Sequence, residues 1–335
     1  MPERTAPPES TAPPERTVPP EGLAPARAGE PTAGRLPEHG SQRREWRPPW
    51  PLDLSAVLAP HRRGPHDPAF QVDRNGATWR TSHTPDGAGT IRLFHSGDVV
   101  YCTAWGPGAG WLLDGVPALL GEGDAPEGLR AHHDIVREQM ARRPGLRIGR
   151  TNRVFEALVA AVMEQKVLSE EAYRAWGYLL RRFGEPAPGA PPELRMRVPP
   201  PPAVWARVPS WEWHRSGLEA VRARTIITAA RVAARLEADP AEARLRTLPG
   251  VGVWTAAETR QRAVGDPDAV SVGDYHVPGM VGWALIGRKV DDAGMLELLE
   301  PYAGHRYRVT RLLESSGRRP PRRGPRLPVR DYRSF

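Results

Sequence analysis

The stretch Leu248-Pro249-Gly250-Val251-Gly252-Val253-Trp254-Thr255-Ala256, followed 22 residues after Gly252 by Asp274, decides how this chain is read. Gly250 and Gly252 flank Val251 between two helical segments, with Pro249 before them. Glycine there permits tight backbone angles and lets main-chain N–H groups come close to a phosphate. The following helix points its positive N-terminal end at the same place. Such a device reads no bases and grips only a backbone. The competing reading, a plain Gly-containing turn, is disfavoured because all five positions and both flanking helices fit together.

Composition bounds what surrounds this hairpin. The chain has 335 residues, 39% of them hydrophobic, with 39 prolines and 33 glycines. Residues 1–50 are Pro-rich and nearly free of aromatics before Trp46, so they bury too little apolar surface to offset their ordering entropy. They read as a disordered tail, and residues 319–335 as an Arg/Pro-rich C-terminal tail. The net charge of +8 favours a polyanionic partner. Of the 47 basic residues only Lys166 and Lys289 are lysines, a bias that a GC-rich genome also produces. A single cysteine, Cys102, excludes disulfides within the chain, all-cysteine metal sites and Cys-ligated iron–sulfur clusters. No apolar run reaches the roughly 18 residues of a membrane span, and no hydrophobic signal core opens the chain. The expectation is a soluble, monomeric, cytoplasmic and nucleoid-associated protein of bacterial type.

Two regions follow from the pattern. Ala77–Ser82, Thr90–His95 and Val99–Trp105 are β-type runs separated by turn residues, which predicts an antiparallel meander within residues 51–145. Trp111 to Gly121 reads as a short helix closing that unit. Residues 146–318 read as an all-helical body of six to eight helices. Asn152 is placed to cap a helix carrying Val154, Phe155, Leu158, Val159, Val162 and Met163. Ser169 is placed to cap a second helix that ends at Gly184. Further helices are expected from Ser210, over Arg224–Leu236, from Val253 to about Val264, from Asp274, over Met295–Glu300 with Asp291 or Asp292 as cap, and over His305–Ser315.

The hairpin with a downstream aspartate resembles the helix-hairpin-helix DNA glycosylase superfamily. Phe155-Glu156-Ala157-Leu158, Glu164-Gln165 and Trp254 look like its alkylpurine (3-methyladenine) branch. The resemblance covers roughly residues 70–325. It implies an α+β fold, a small antiparallel β-sheet domain followed by a mainly α-helical body of two subdomains with the lesion pocket between them.

It also implies a chemistry. Breaking an N-glycosidic bond passes through an oxocarbenium-like sugar, which a nearby carboxylate stabilises while it orients water. Asp274 matches the family's catalytic aspartate; an ordinary helix N-cap is the competing role. In the endonuclease III branch the position of Trp254 is a lysine that forms a Schiff base. Tryptophan has no amine, so the resemblance implies a monofunctional enzyme that leaves the strand intact. An alkylated purine is cationic, and aromatic rings hold a flipped cationic base by stacking and cation–π attraction. The base-pocket candidates are Trp254, Gln165, Tyr275 and Glu258, with Trp211, Trp213 and Trp283 as further aromatics for which core packing competes. The DNA-binding candidates are Gly250, Val251, Gly252, Thr255, Lys166 and His276. Glu258 and Arg311 depart from the family, standing where some relatives carry pocket aromatics. Pro301-Tyr302 keeps part of a Pro-Trp-Arg pattern. No metal-ligand cluster and no cofactor is expected, apart from a monovalent cation on the hairpin carbonyls as in the family. The resulting expectation is a monofunctional glycosylase that excises alkylated purines from double-stranded DNA. The alternatives are a non-catalytic DNA-binding protein and a glycosylase for another damaged base.

Overall fold

Thr, Trp, Ile and Val recur along Thr78–Trp105, residues that suit a pleated and half-buried surface. In the computed structural model, which describes residues 40–321, they form the middle of a five-stranded antiparallel sheet. Its strands are β1 (Ser41–Trp46), β2 (Phe70–Val72), β3 (Thr78–Thr84), β4 (Gly87–Ser96) and β5 (Val99–Trp105). Their spatial order is β1-β5-β4-β3-β2. Thr84 faces Gly87 and Ser96 faces Val99, so Pro85-Asp86 and Gly97-Asp98 form the two tight corners.

The N-terminal tail expected over residues 1–50 ends sooner than its composition suggested. Ser41–Trp46 pairs along its whole length with β5, from Ser41 opposite Trp105 to Trp46 opposite Val100. An edge strand contributes backbone hydrogen bonds without needing an apolar face, so Gln42, Arg43, Arg44 and Glu45 hide it from a reading by hydrophobicity. Residues 1–39 and 322–335, which hold the rest of both expected tails, lie outside the described residues.

One face of the sheet packs Ile91, Leu93, Val100, Cys102 and Ala104 under three short helices, α1 (Leu54–Leu58), α2 (Ala109–Asp114) and α3 (Val116–Leu119). The single helix expected near residues 111–121 is broken at Gly115, between α2 and α3. The other face stacks Trp79 on Trp105 at 5.3 Å. The Pro-rich connection after residue 184 covers it, with Met196 against the two indoles and the Arg197 carbonyl accepting from Thr81 Oγ1 at 2.7 Å.

The helical body comprises α4 (Asp134–Arg142), α5 (Val154–Met163), α6 (Ser169–Phe183), α7 (Pro202–Trp205), α8 (Ser210–Ser216), α9 (Ala220–Arg231), α10 (Ala233–Ala238), α11 (Glu242–Leu245), α12 (Val253–Ala263), α13 (Val277–Ile286), α14 (Asp292–Leu299) and α15 (Arg306–Ser315). It has two cores. α5 is apolar nearly all round and sits at the centre of the first, among residues of α6, α9, α10 and α12. The second joins Met280, Val281, Met295, Leu299, Val309 and Leu313 of α13–α15 to Ile135 and Val136 of α4. The division expected at residue 145 therefore does not separate two cores. Residues 129–146 pack with the C-terminal helices, because Leu129, Ile135, Val136 and Leu146 share their cluster.

Three local expectations are corrected. Asn152 does not cap α5, since it lies at φ 52°; the Glu237 carboxylate of α10 accepts from Val154 N at 2.8 Å and Phe155 N at 3.1 Å instead. Ser169 is the first residue of α6, and Glu171 reaches back to Leu168 N at 3.3 Å. The helix expected over Arg224–Leu236 begins earlier, at Ala220, and breaks at Val232 into α9 and α10.

Candidate active site

The hairpin joins the one-turn α11 to α12. Val251 N donates to Leu248 O at 3.0 Å, Gly250 adopts φ 88°, and Gly252 is the exposed N-cap residue of α12. Val251 points inward and is 6% exposed, so it anchors the turn in the first core. Thr225 Oγ1 of α9 donates to Pro249 O at 3.1 Å. Gln165 Nε2 donates to Gly250 O and to Thr255 Oγ1, both at 2.8 Å. Gln165, expected beside a flipped nucleotide, thus braces the hairpin, and Thr255 is buried beneath it. The backbone N–H groups at the start of α12, as at any helix start, lack intrahelical partners. The carbonyls of Leu248, Pro249 and Gly250 each already accept a hydrogen bond. The monovalent cation expected there would have to share them.

α12 aligns three of the candidate or neighbouring side chains on one face. Trp254, Glu258 and Arg262 are spaced at i, i+4 and i+8 and so lie one above another. Trp254 Nε1 donates to Asp274 Oδ2 at 3.0 Å, while Asp274 Oδ1 accepts from His276 N at 2.7 Å and Val277 N at 2.9 Å. Asp274, two residues before the N-cap residue His276, therefore binds the N–H groups that lead into α13 and the hairpin tryptophan at once; the helix expected to start at Asp274 begins at Val277. The helix-start contacts and the Trp254 contact thus fall on opposite oxygens. The Asp274 side chain stays partly exposed, and its partner Trp254 stands two residues along the chain from the exposed hairpin glycine Gly252.

Deeper in, Glu258 Oε2 pairs with Arg262 Nη1 at 2.7 Å, and Glu258 Oε1 accepts from Ser271 Oγ at 2.5 Å. Both oxygens are engaged and the side chain is 12% exposed, so the structure gives Glu258 a tethered place instead of a free one. Arg262 also donates to Pro60 O at 2.9 Å. Around it lie an Arg63–Glu164 pair at 3.2 Å and Arg311, which binds Ala56 O at 3.0 Å and Tyr307 Oη at 3.4 Å. Desolvation, reinforced by Arg80, Arg262, Arg63 and Arg311, holds the His61 imidazole well below its ordinary pKa.

The other candidates scatter. Tyr275 is 87% exposed, with its ring edge-on to His276 at 4.9 Å. Lys166 is exposed at φ 52° in the turn between α5 and α6. Trp213 is 3% exposed, stacks on Trp205 and donates to Val208 O, so it is core. Trp211 is 61% exposed and Trp283 half-buried. Sequence reasoning missed Ser271, Gln261, Arg262 and Thr225. The i,i+4 spacing of Glu258 and Arg262 was a readable signal; Ser271 had none, because its role depends on how the loop folds back. Among the described residues no helix is long and apolar enough to cross a membrane.

Known proteins share this architecture. No family model matches the chain. It is 30% identical to the probable bifunctional transcriptional activator/DNA repair enzyme AlkA of Mycobacterium tuberculosis, across 62% of this chain and 44% of that protein. The chain thus spans less than half the length of the curated relatives it matches. The 3-methyladenine DNA glycosylase from Archaeoglobus fulgidus superposes with a TM-score of 0.66 at 16% identity, covering 80% of this chain and 96% of its own. The 8-oxoguanine glycosylase/lyase of Clostridium acetobutylicum, in complex with double-stranded DNA, superposes at 0.62 and 12% identity, covering 80% and 92%. The chain's fold is therefore similar to that of these solved DNA glycosylases.

Proposed function

We propose that the protein is a monofunctional DNA glycosylase that binds double-stranded DNA as a monomer and excises an alkylated purine. The observation that carries this reading is the Asp274 carboxylate held by Trp254 within one turn of the phosphate-gripping hairpin. The hairpin and the start of α12 hold the DNA backbone through N–H groups and the helix dipole. The damaged nucleotide turns out of the stack toward the cleft, where the Trp254 face receives it. As the C1′–N bond breaks, its electron pair leaves with the base and positive charge grows on the sugar. Asp274 opposes that charge and orients the water that bonds to C1′; the water's proton passes to the carboxylate and on to solvent. Trp254 offers no amine, so no Schiff base forms and the strand stays whole.

A second reading, a glycosylase for a different damaged base, is favoured by Glu258 and Arg311, charged residues where some relatives carry aromatics. Both readings are tested by one panel of duplexes, each with a single alkylated, deaminated or oxidised base, assayed for abasic sites revealed by alkali. Release of an alkylated purine by the wild type, abolished in Asp274→Asn, is the expected result. No release from any duplex, or full release by Asp274→Asn, sinks the enzyme reading. Nicking without alkali, with borohydride trapping of a protein–DNA adduct, sinks the monofunctional one.

A further inference from the structure

The loop between α12 and α13 carries Asp274 on an irregular backbone, with Gly265 and Gly273 both at positive φ. Such a loop does not hold a carboxylate in place by itself; α15 and Arg260 of α12 anchor its first half, and α12 most of the second half, next to Asp274. Arg260 of α12 donates to Asp266 Oδ2 at 2.8 and 3.0 Å. Gln261 Nε2 donates to Ala269 O at 2.8 Å and to Ser271 Oγ at 2.9 Å. Ser271 Oγ donates to Glu258 Oε1 at 2.5 Å, and Asp274 N donates back to Ser271 O at 3.2 Å. From outside α12, Arg306 Nε and N donate to Asp268 Oδ1 at 2.8 and 3.0 Å, Gly304 N donates to the same oxygen at 2.8 Å, Arg308 N donates to Pro267 O at 3.1 Å, and Asp292 Oδ1 accepts from Gly273 N at 3.0 Å.

We propose that Glu258 is a positioning residue for the reacting carboxylate, acting through Ser271. The inference rests on the reading of Asp274 as the group that faces the sugar. A hydroxyl has one proton. With Gln261 donating to the Ser271 oxygen, that proton is committed to Glu258, so the hydrogen bonds run in one direction from Gln261 to the carboxylate. Arg262 holds the other oxygen of Glu258 and is itself tied to Pro60 O, which turns the carboxylate into a fixed post. Ser271 is 6% exposed and Gln261 4%, so water does not compete for these bonds. Hydrogen bonds to an ionised acceptor are about twice as strong as neutral ones, which suits a clamp. α12 thereby joins two tasks: its first turn meets the phosphate, and its second and third turns set where the Asp274 loop lies.

The test uses single-turnover base release at saturating enzyme, on whichever duplex the wild type processes best, beside affinity for a duplex carrying a tetrahydrofuran abasic analogue. Glu258→Ala and Ser271→Ala are each expected to lower the plateau rate by roughly ten- to a hundredfold, the effect of a misplacement of about 1 Å. Affinity for the abasic duplex should stay within about threefold. The double variant should lose no more than the weaker single variant, the non-additivity of two residues in one network. Ser271→Thr keeps the hydroxyl and should recover most of the rate. Additive losses, an unchanged plateau, or a loss of affinity alone overturns the proposal. If Glu258→Ala does not fold, the contrast between Ser271→Ala and Ser271→Thr decides it. If the wild type releases no base, the glycosylase reading fails separately from the clamp. Amide hydrogen exchange over residues 269–276 then reads the clamp directly: faster exchange in Ser271→Ala supports it, and unchanged exchange overturns it.

Discussion

At Gly250 the backbone sits at φ 88°, and a Cβ added there would collide with Thr225 Oγ1, which donates to the neighbouring Pro249 carbonyl. At Gly252 the backbone is extended and a Cβ would meet nothing within 4 Å. The first glycine thus closes the turn, while the second leaves its open side free for a phosphate. Gly250→Ala should lower folding stability by about 1–3 kcal/mol, the usual range for a strained backbone position, as read by urea titration. Gly252→Ala should leave stability within about 0.5 kcal/mol yet weaken binding to an undamaged duplex by roughly tenfold, as expected when a charge-assisted hydrogen bond is lost. Equal stability losses in the two variants would refute this division. The glycines were legible as residue types. Their separate tasks were not, because Thr225 lies on another helix.

Among the elements, α5 shows where reading along the chain stops. Its apolar stripe was plain, since Val154, Phe155, Leu158, Val159, Val162 and Met163 carry it, and all six are buried. Its cap was not, because the residue that satisfies the first N–H groups stands 83 residues away from Val154 in sequence. Glu237→Ala leaves two N–H groups at the start of a buried helix without their acceptor. That should cost about 1–3 kcal/mol and lower the Tm, measured by thermal unfolding. Glu237→Gln keeps one acceptor oxygen and should fall between the two. A Glu237→Ala protein as stable as the wild type would show that α5 is held by packing alone. α12 differs: its start at Val253 and its end near Ala263 matched the expectation, because hairpin glycines and a following glycine loop punctuate it locally.

For the molecule as a whole, periodicity and turn chemistry located the sheet and the helices, whereas the grouping of elements into cores escaped them. α4 joins the C-terminal helices through Ile135 and Val136, a partnership that no local pattern encodes. The same long-range assembly brings Arg63, Arg80, Arg262 and Arg311 around His61. Its imidazole is held well below the ordinary value of 6.5, by desolvation first and by those four guanidinium groups next. In the window between that depressed pKa and 6.5 the unfolded chain binds a proton that the folded one does not, so stability falls as pH falls. His61→Asn removes this contribution. The Tm of the wild type should therefore drop more than that of the variant between about pH 7 and pH 5, a range in which an unperturbed histidine titrates. Parallel curves for the two proteins would contradict the placement of those charges around His61.

Asp274 has a consequence for how the protein can be used. Its carboxylate accepts on both sides, from two backbone N–H groups and from an indole. An asparagine there has a single acceptor oxygen. Its oxygen can still accept from His276 N and Val277 N, but its amide NH2 then meets the Trp254 N–H donor to donor. Asp274→Asn alone would therefore also push the indole aside and blur any affinity measured with it. Combining Asp274→Asn with Trp254→Phe removes the clash with the charge. Under the proposed mechanism that variant is a substrate trap, one that binds damaged DNA without finishing the reaction and so can pull its lesion out of a mixed pool of damaged duplexes.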